Sequence, residues 1–269
     1  MSKILRAICL VPLLAAASAN ATLWYVDSSV TGTQNGTSWA TAWSSISSIS
    51  GVKAGDTVYI SGGPSGSSHT YSLGTWTPAG GSSSGSITYQ IGQDSSHNGT
   101  AIFSGSGNFF NSGSSSYLTI SGDAGDGQMH FATTGFGSVG YLQPGCVNIR
   151  ISYINFGQIG GGINDGNGAA SMGPGFQFDH CYVYISDPTA DHFSYMVFSG
   201  STFDQNTFHD NTLYLPRNEN GLGADGLQWN GSGFTIYNNH IEGYTANYTG
   251  GQHRDGMQPL GGSDRKSVV

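Results

Sequence analysis

A short phrase of alternating apolar and polar residues, closed by a polar break and then Gly, Asn or Asp, returns along the second half of the chain. Its five copies begin at Tyr117, Asn148, Gly175, Gly200 and Gly233, at intervals of about 30 residues. The alternation predicts strands, and a repeat of this length predicts a solenoid in which each copy forms one coil. Because side chains alternate across a strand, one set of apolar residues is predicted to share the interior: Ile149, Ile151, Phe176, Phe178, Phe203, Phe234 and Ile236.

The segment before these repeats predicts a cap and the first strands. Four apolar residues recur at helical spacing after a Thr/Ser start: Trp39, Trp43, Ile46 and Ile49. They predict a short amphipathic helix, which would cover the core that a solenoid exposes at its first coil. Gly55-Asp-Thr-Val-Tyr-Ile60 then predicts a turn followed by the first strand, and further strands are predicted at 86–91 and 100–103. No second domain is predicted.

The N-terminal end is expected to lie outside the folded domain. Residues 1–21 combine basic Lys3 and Arg6, an apolar run, and a small-residue cleavage site that ends at Ala21. This pattern predicts a signal peptide and a secreted protein that begins at Thr22. The apolar run is shorter than the roughly 20 residues that span a bilayer, so membrane insertion is not expected.

The C-terminal end is also unusual. Residues 264–269 correspond to the translation of GATCGGAAGAGCGTCGTG, which resembles a common sequencing adapter. We therefore expect residues 263–269 to be non-biological, and the domain over residues 22–262 to be incomplete at its C-terminal side. A genuine basic tail is the alternative. An uncapped last coil should make this chain aggregate, whereas the full-length protein is expected to be a monomer.

Composition and charge narrow the function classes. Gly, at 43 of 269 residues, suits tight corners, and 13 Phe, 14 Tyr and 5 Trp are too many large rings for a disordered chain. Without the two ends, four Lys and Arg face fifteen Asp and Glu, a net charge of −11. Such a charge disfavours a nucleic-acid binder, and it repels a polyanionic glycan unless a cation bridges them. Cys146 and Cys181 either form a disulfide or are two small buried residues.

The N-terminal sequence also carries a family resemblance. Four segments resemble the opening of right-handed parallel β-helix proteins related to pectate-lyase and chondroitinase-B-like polysaccharide lyases: Trp24-Tyr-Val-Asp27, Asn35-Gly-Thr-Ser-Trp39, Ala42-Trp43 and Ala54-Gly-Asp-Thr-Val-Tyr-Ile-Ser-Gly62. The resemblance implies an all-β fold, a right-handed parallel β-helix with a short N-terminal capping helix. It is specific for fold and not for activity, because this scaffold also carries hydrolases, epimerases and non-catalytic proteins.

The strongest sequence candidate for chemistry is a pair of near-identical phrases. Asp-Gly-Leu-Gln-Trp at 225–229 recurs as Asp-Gly-Met-Gln-Pro at 255–259, so the two Asp and the two Gln are each separated by one repeat length. One coil apart, these pairs would stack: Asp225 on Asp255, and Gln228 on Gln258. Two stacked carboxylates either hold a Ca²⁺, act as the acid and base of a glycosidase, or accept backbone hydrogen bonds at Asp-Gly turns.

Residues around this pair suit a lyase that acts on a uronate sugar. Such an enzyme neutralises the sugar carboxylate, a role for Arg254 or a bound Ca²⁺, and abstracts the adjacent proton, a role for His253 because imidazole titrates near neutral pH. Trp229 would stack on a sugar face, and Gln228 and Gln258 would also bind substrate. Ordinary surface or core roles are the alternative. The predicted catalytic residues are His253, Arg254 and Asp255, and the predicted metal ligands are Asp225 and Asp255.

The chain departs from the lyases and hydrolases of this scaffold. No Lys follows Lys53 before the C-terminal tail, and no clustered Asn-Thr-Asp or Asp-Asp motif occurs. Asn206 and Asn239 are predicted to align as a structural amide ladder. The function predicted from the sequence is that of a secreted carbohydrate-active protein, a polysaccharide lyase acting on an acidic extracellular glycan. A non-catalytic glycan-binding or surface β-helix protein is the alternative, and a glycoside hydrolase is third.

Overall fold

The structure of the protein is a computed structural model. It describes residues 21–124, 128–131, 136–143, 145–159, 163–164, 173–185, 196–199, 206–215, 227–230, 234–243 and 257–259. The helices in these ranges are two 3-10 turns, Trp39–Thr41 and Ile46–Ser48. No helix in the described part of the chain is long and apolar enough to cross a membrane.

Strands make up nearly all of the remaining regular structure. The first is β1 (Leu23–Val26), which precedes the strand that the sequence predicted as the first. The next coil contributes that strand, β2 (Thr57–Ile60), and β3 (Ser68–Leu73). Six coils of three strands follow among the described residues: β4 (Ile87–Ile91), β5 (Thr100–Gly105) and β6 (Gly107–Asn111); β7 (Leu118–Ser121), β8 (Met129–Phe131) and β9 (Phe136–Tyr141); β10 (Ile149–Ser152), β11 (Ile154–Ile159) and β12 (Ile163–Asn164); β13 (Gln177–Asp179), β14 (Tyr182–Ile185) and β15 (Met196–Ser199); β16 (Asn206–His209), β17 (Thr212–Leu215) and β18 (Leu227–Asn230); β19 (Phe234–Tyr237), β20 (His240–Gly243) and β21 (Met257–Pro259).

The coils stack into three parallel sheets. Sheet A contains β1, β2, β4, β7, β10, β13, β16 and β19, sheet B runs from β3 to β20, and sheet C runs from β6 to β21. Each strand pairs in parallel with the strand one coil away, as in β10 with β7 and β13. The predicted all-β architecture, a parallel β-helix, is therefore confirmed.

The core lies between the three sheets and follows the predicted alternation. Ile149, Ile151, Phe176 and Phe178 are all buried. Inward residues of neighbouring coils also contact each other, and the rings of Phe178 and Phe208 stack with centroids 5.4 Å apart and planes 5° apart. Offset stacking of this kind adds to the burial of apolar surface, so the rings hold adjacent coils in register.

The predicted repeat start at Gly200 is wrong. Phe208, and not Phe203, pairs with Phe178 in sheet A, and Phe203 lies outside the described residues. Phe208 pairs in turn with Ile236, so these core positions lie at nearly equal intervals along the chain. The spacing of the strands along the chain explains the error: six residues separate β15 from β16, but three separate β18 from β19. A strand therefore does not begin at a constant distance from the strand before it.

The predicted pairing of Asn206 with Asn239 is also wrong, although an amide ladder exists. Asn239 Oδ1 accepts hydrogen bonds from N and Nδ2 of Asn211 at 3.1 and 3.0 Å. Asn211 Oδ1 accepts from Cys181 N at 2.9 Å, and its Nδ2 also donates to Phe178 O at 2.9 Å. Asn206 instead accepts from a backbone amide one coil earlier. A side-chain amide has both donors and acceptors, so this ladder ties three coils together at the corner between sheets A and B.

The N-terminal segment does not form the predicted amphipathic helix. Between its two 3-10 turns, Trp43 forms a parallel bridge with Val26 of β1. Trp43 N donates to Tyr25 O at 3.0 Å, and Asp27 N donates to Trp43 O at 2.8 Å. These bonds to β1 interrupt the predicted helix at its middle, because a residue that pairs with a strand cannot also make the hydrogen bonds of a helix. Trp43 and Ile46 are nonetheless buried against the first coils.

The two cysteines of the described chain are free and buried. Cys146 Sγ lies 3.3 Å from Ser112 Oγ, and Cys181 Sγ lies 3.3 Å from Asp179 O. Burial raises the pKa of the Cys181 thiol. Of the two sequence interpretations, the structure supports small buried residues and not a disulfide.

Candidate functional site

Most of the sequence-predicted site lies outside the described residues, namely His253, Arg254, Asp255 and Asp225. The backbone of Gln228, Trp229 and Gln258 is described. Gln228 of β18 pairs directly with Gln258 of β21, and Trp229 pairs with Pro259, which is the one-coil register that the sequence predicted. Their roles in binding a glycan stay predictions.

The structure brings another set of aromatic, polar and ionisable side chains together, on the outer face of sheet A. Residues that alternate with the core positions form a row across the strands, which we call the outer row. Coil-to-coil register gives its order: Tyr25, Tyr59, Gln90, Ser121, Ser152, Asp179, His209 and Tyr237. Aromatic residues therefore begin the row, uncharged polar residues occupy its middle, and ionisable residues lie near its far end.

The corner that follows this row has a repeated backbone geometry. Tyr153, His180, Asp210 and Asn238 each follow a sheet A strand, one coil apart, with φ between 52° and 55°. Non-glycine residues rarely adopt this left-handed conformation. Because four successive coils share it, the conformation belongs to the tight A–B corner. Its effect is to project His180 and Asp210 beside Asp179 and His209 of the outer row.

Arg150 and His180 both bind the carboxylate of Asp179. Arg150 Nε and Nη2 donate to Asp179 Oδ1 and Oδ2 at 2.9 and 2.8 Å, and His180 Nδ1 lies 3.0 Å from Oδ2. Asp179 is fully buried, whereas the Arg150 and His180 side chains are 43% and 37% exposed. Burial alone would raise the pKa of Asp179, but the bonds from Arg150 and His180 outweigh it and lower the pKa. The hydrogen bond to Asp179 raises the pKa of Arg150, so both groups are charged.

A second imidazole is held in the same way one coil further on. His209 Nδ1 lies 2.7 Å from Asp210 Oδ2, and this hydrogen bond lowers the pKa of Asp210. Tyr153 stacks on His180 with ring centroids 4.3 Å apart, and Tyr237 stacks on His209 at 4.6 Å. Each imidazole thus has a carboxylate at Nδ1 and an aromatic ring against its face. Together these contacts fix ring orientation and leave Nε2 for a proton or a ligand.

The same cluster has the donors of a metal site. His180, His209 and Asp210 each offer one ligand atom, and these atoms lie within 4.8 Å of one another. Two imidazoles with one carboxylate suit Zn²⁺, Cu²⁺ or Ni²⁺, whereas Ca²⁺ takes six to eight oxygen ligands. The described cluster therefore does not match the cation predicted from the sequence. The Ca²⁺ ligands predicted there, Asp225 and Asp255, lie outside the described residues.

Sequence reasoning missed this cluster although its signal was present. Phe-Asp-His-Cys at 178–181 recurs as Phe-His-Asp-Asn at 208–211, one repeat length later. Both phrases join a core aromatic to an adjacent acid and histidine. The misplaced repeat start at Gly200 put the two phrases at different coil positions, so their alignment was lost. Arg150 gave no local signal, because its partner Asp179 is 29 residues away.

The fold and the site define a parallel β-helix protein with an Arg–Asp–His cluster on the outside of one sheet. Comparisons with protein-family models, with curated proteins and with solved structures gave no match.

Proposed function

We propose that the protein is a secreted carbohydrate-active β-helix protein that binds an acidic glycan across the outer face of sheet A and cleaves it by elimination. The observation that supports this proposal is the buried Asp179 carboxylate shared by Arg150 and His180. It joins a cation and an orientated base, the two groups that elimination next to a uronate carboxylate needs.

Each side chain has a proposed role in that reaction. Arg150 uses Nε and Nη2 to bind Asp179, and its exposed edge pairs with the uronate carboxylate of the sugar. Asp179 accepts the Nδ1 proton of His180, so Nε2 carries the lone pair and takes the proton from the carbon next to that carboxylate. The electron pair forms a carbon–carbon double bond, and the bond to the glycosidic oxygen breaks.

Tyr153 is the proposed acid for the departing oxygen. It stacks on His180, so both side chains face the same part of the outer surface. Burial, with a further effect of the Asp123 charge, raises the pKa of Tyr153. The hydroxyl therefore keeps its proton at neutral pH and can pass it to the glycosidic oxygen. A carboxylic acid is less suited to this step here, because Asp179 is held in its ionised form.

Non-catalytic glycan binding is the second candidate. The observation that favours it is that the charge of Arg150 is already compensated by Asp179 at 2.8 Å. A compensated guanidinium recognises a carboxylate more weakly than a free one. The outer face would then hold a glycan without activating it.

The test is cleavage of alginate, pectate and chondroitin, followed by ultraviolet absorbance of the unsaturated product and by a reducing-end assay. A lyase raises both signals. His180→Ala should abolish them, while His240→Ala, an exposed histidine of sheet B, should leave them unchanged. Glycan retention on an array with neither signal would identify the binding protein instead. Reducing ends without absorbance would identify a hydrolase.

Three further proposals follow from the sequence. The Ca²⁺ proposed at Asp225 and Asp255 predicts that a chelator lowers activity and that added Ca²⁺ restores it. The proposed signal peptide predicts that the exported protein begins at Thr22, which N-terminal sequencing measures. The proposed monomeric state of the full-length protein is tested by light scattering.

A further inference from the structure

A cleft lies at the other end of the outer row, on the first coils. Its volume is about 320 Å³, and its lining residues are Tyr25, Trp39, Tyr59, Gln93 and Asp94. Small-molecule sites in proteins begin at about this volume and combine aromatic walls with a few polar groups. The cleft has both features and shares no residue with the Arg–Asp–His cluster.

The aromatic walls are fixed by contacts with one another. Tyr25 and Tyr59 are direct partners in β1 and β2, and their rings lie 5.9 Å apart. Trp39 is tilted against Tyr25 at 4.7 Å, and its indole stacks on His97 at 3.8 Å with planes 6° apart. The three cleft rings come from two strands and a 3-10 turn that is bonded to the first coils. A ligand would therefore meet a preformed aromatic surface, and little ordering would be needed on binding.

Asp94 supplies the polar side of the cleft. Its Oδ2 accepts from Trp39 Nε1 at 3.2 Å, and its Oδ1 binds His97 Nδ1 at 2.7 Å and Ser96 N at 3.0 Å. The carboxylate is still 53% exposed. Burial alone would raise the pKa of Asp94, but the bonds from His97 and Ser96 outweigh it and lower the pKa. A fixed negative charge thus stands beside the aromatic walls.

We propose that this cleft is a second glycan subsite, which stacks one neutral sugar ring on Tyr25, Trp39 and Tyr59. The carbon–hydrogen face of a sugar ring is apolar and matches the aromatic walls, and sugar hydroxyls donate to the Asp94 carboxylate. A uronate residue is excluded, because its carboxylate would meet Asp94.

The position of the cleft extends the proposed function, on which this part of the inference rests. Tyr59 and Asp179 stand in the same outer row, separated by four strand spacings of about 4.8 Å, or about 19 Å. Three uncharged polar side chains lie between them, Gln90, Ser121 and Ser152. One extended glycan can therefore reach both sites, with a neutral residue at the cleft and a uronate at Arg150. The preferred substrate class is then a mixed glycan, so chondroitin should be cleaved faster than the uronate polymers alginate and pectate.

Calorimetry with neutral oligosaccharides tests the subsite directly. The probes are cellohexaose, xylohexaose and mannohexaose, with hexagalacturonate as the acidic comparison. We expect at least one neutral probe to bind and hexagalacturonate not to bind at the cleft. Trp39→Ala and Tyr59→Ser should each weaken binding about tenfold, the upper effect of one aromatic contact. Tyr182→Ala, which removes an exposed ring of sheet B, is the matched control and should bind as the unmodified protein does.

Two further variants keep the outcomes separate. Asp94→Asn preserves the shape of the side chain, so it should retain neutral-sugar binding better than the ring variants and admit hexagalacturonate. His180→Ala should bind neutral probes normally, so failure of cleavage would leave this inference standing. No binding by any neutral probe, or equal affinity in Trp39→Ala with an unchanged circular dichroism spectrum, would overturn it.

Discussion

Replacing Arg150 with Met tests the central contact of the cluster. Met keeps much of the apolar stem of Arg, so the substitution removes the guanidinium with little loss of packing. It leaves Asp179 as a fully buried carboxylate. Of the two side chains that bind this carboxylate, only His180 remains, at 3.0 Å.

The expected cost follows from the exposure of the two partners. Removing one partner of a fully buried ion pair typically costs about 3–5 kcal/mol, because the remaining charge is buried without compensation. Here Arg150 is 43% exposed, so water can reach the space that it leaves. We therefore expect Arg150→Met to lower the free energy of unfolding at pH 7 by about 2–3 kcal/mol.

The pH dependence of this loss identifies its cause. Asp179 has a lowered pKa in the folded protein, so its ionised form stabilises the fold above the ordinary carboxyl pKa of about 3.9 and loses this effect as the pH falls. Without Arg150, burial dominates and raises the pKa of Asp179, so the group destabilises the fold at neutral pH until it is protonated. The difference between the two proteins should therefore be largest at pH 7. It should shrink as the pH falls, first as Asp179 of the variant is protonated above about 3.9 and then as Asp179 of the unmodified protein is protonated below that pH.

Urea unfolding at several pH values measures this difference. The double variant Arg150→Met with Asp179→Leu should recover most of the lost stability, because no buried charge remains. Glu242→Gln is the matched control: it removes an exposed contact to His240 at 3.5 Å and should change stability by less than about 0.5 kcal/mol. An equal loss at pH 7 and at pH 3, or no recovery in the double variant, would refute the electrostatic explanation.

Two other predictions concern the corner between sheets A and B. Asn211→Leu should lower the free energy of unfolding by about 3 kcal/mol, because it leaves the buried N–H of Cys181 and C=O of Phe178 without partners. Asn239→Leu should lower it by about 1 kcal/mol, since water reaches that half-buried position. Urea unfolding measures both losses, and equal losses would contradict the proposed roles of the two amides. Cys146 and Cys181 are free and buried, so they should react with Ellman's reagent only after denaturation. A reducing agent should leave the melting temperature unchanged, and a change in melting temperature on reduction would indicate a disulfide.

The sequence predicted those elements whose signals are local. The strands near 57–60, 86–91 and 100–103 were located within two residues of their observed ends, because alternation and flanking turns mark a strand directly. The capping helix was wrong because helical spacing of Trp39, Trp43 and Ile46 is also satisfied by two separate turns. The bridge between Trp43 and Val26 of β1 separates the two turns and excludes a continuous helix. Such pairing is a tertiary contact and leaves no mark in the spacing.

The sequence by itself determined the architecture: alternating strands, corners rich in Gly and Asn, and a regular repeat period allow little besides a parallel β-helix. Only the tertiary structure decided which side chains share a surface. Coil-to-coil register depends on the number of residues between strands, and this number varies from coil to coil; between sheets A and B it falls to one or two residues only from β10 onward. An error of a few residues in register moves a side chain to another face. For this reason Arg150, Asp179 and His180 emerged as one cluster only after the coils were stacked.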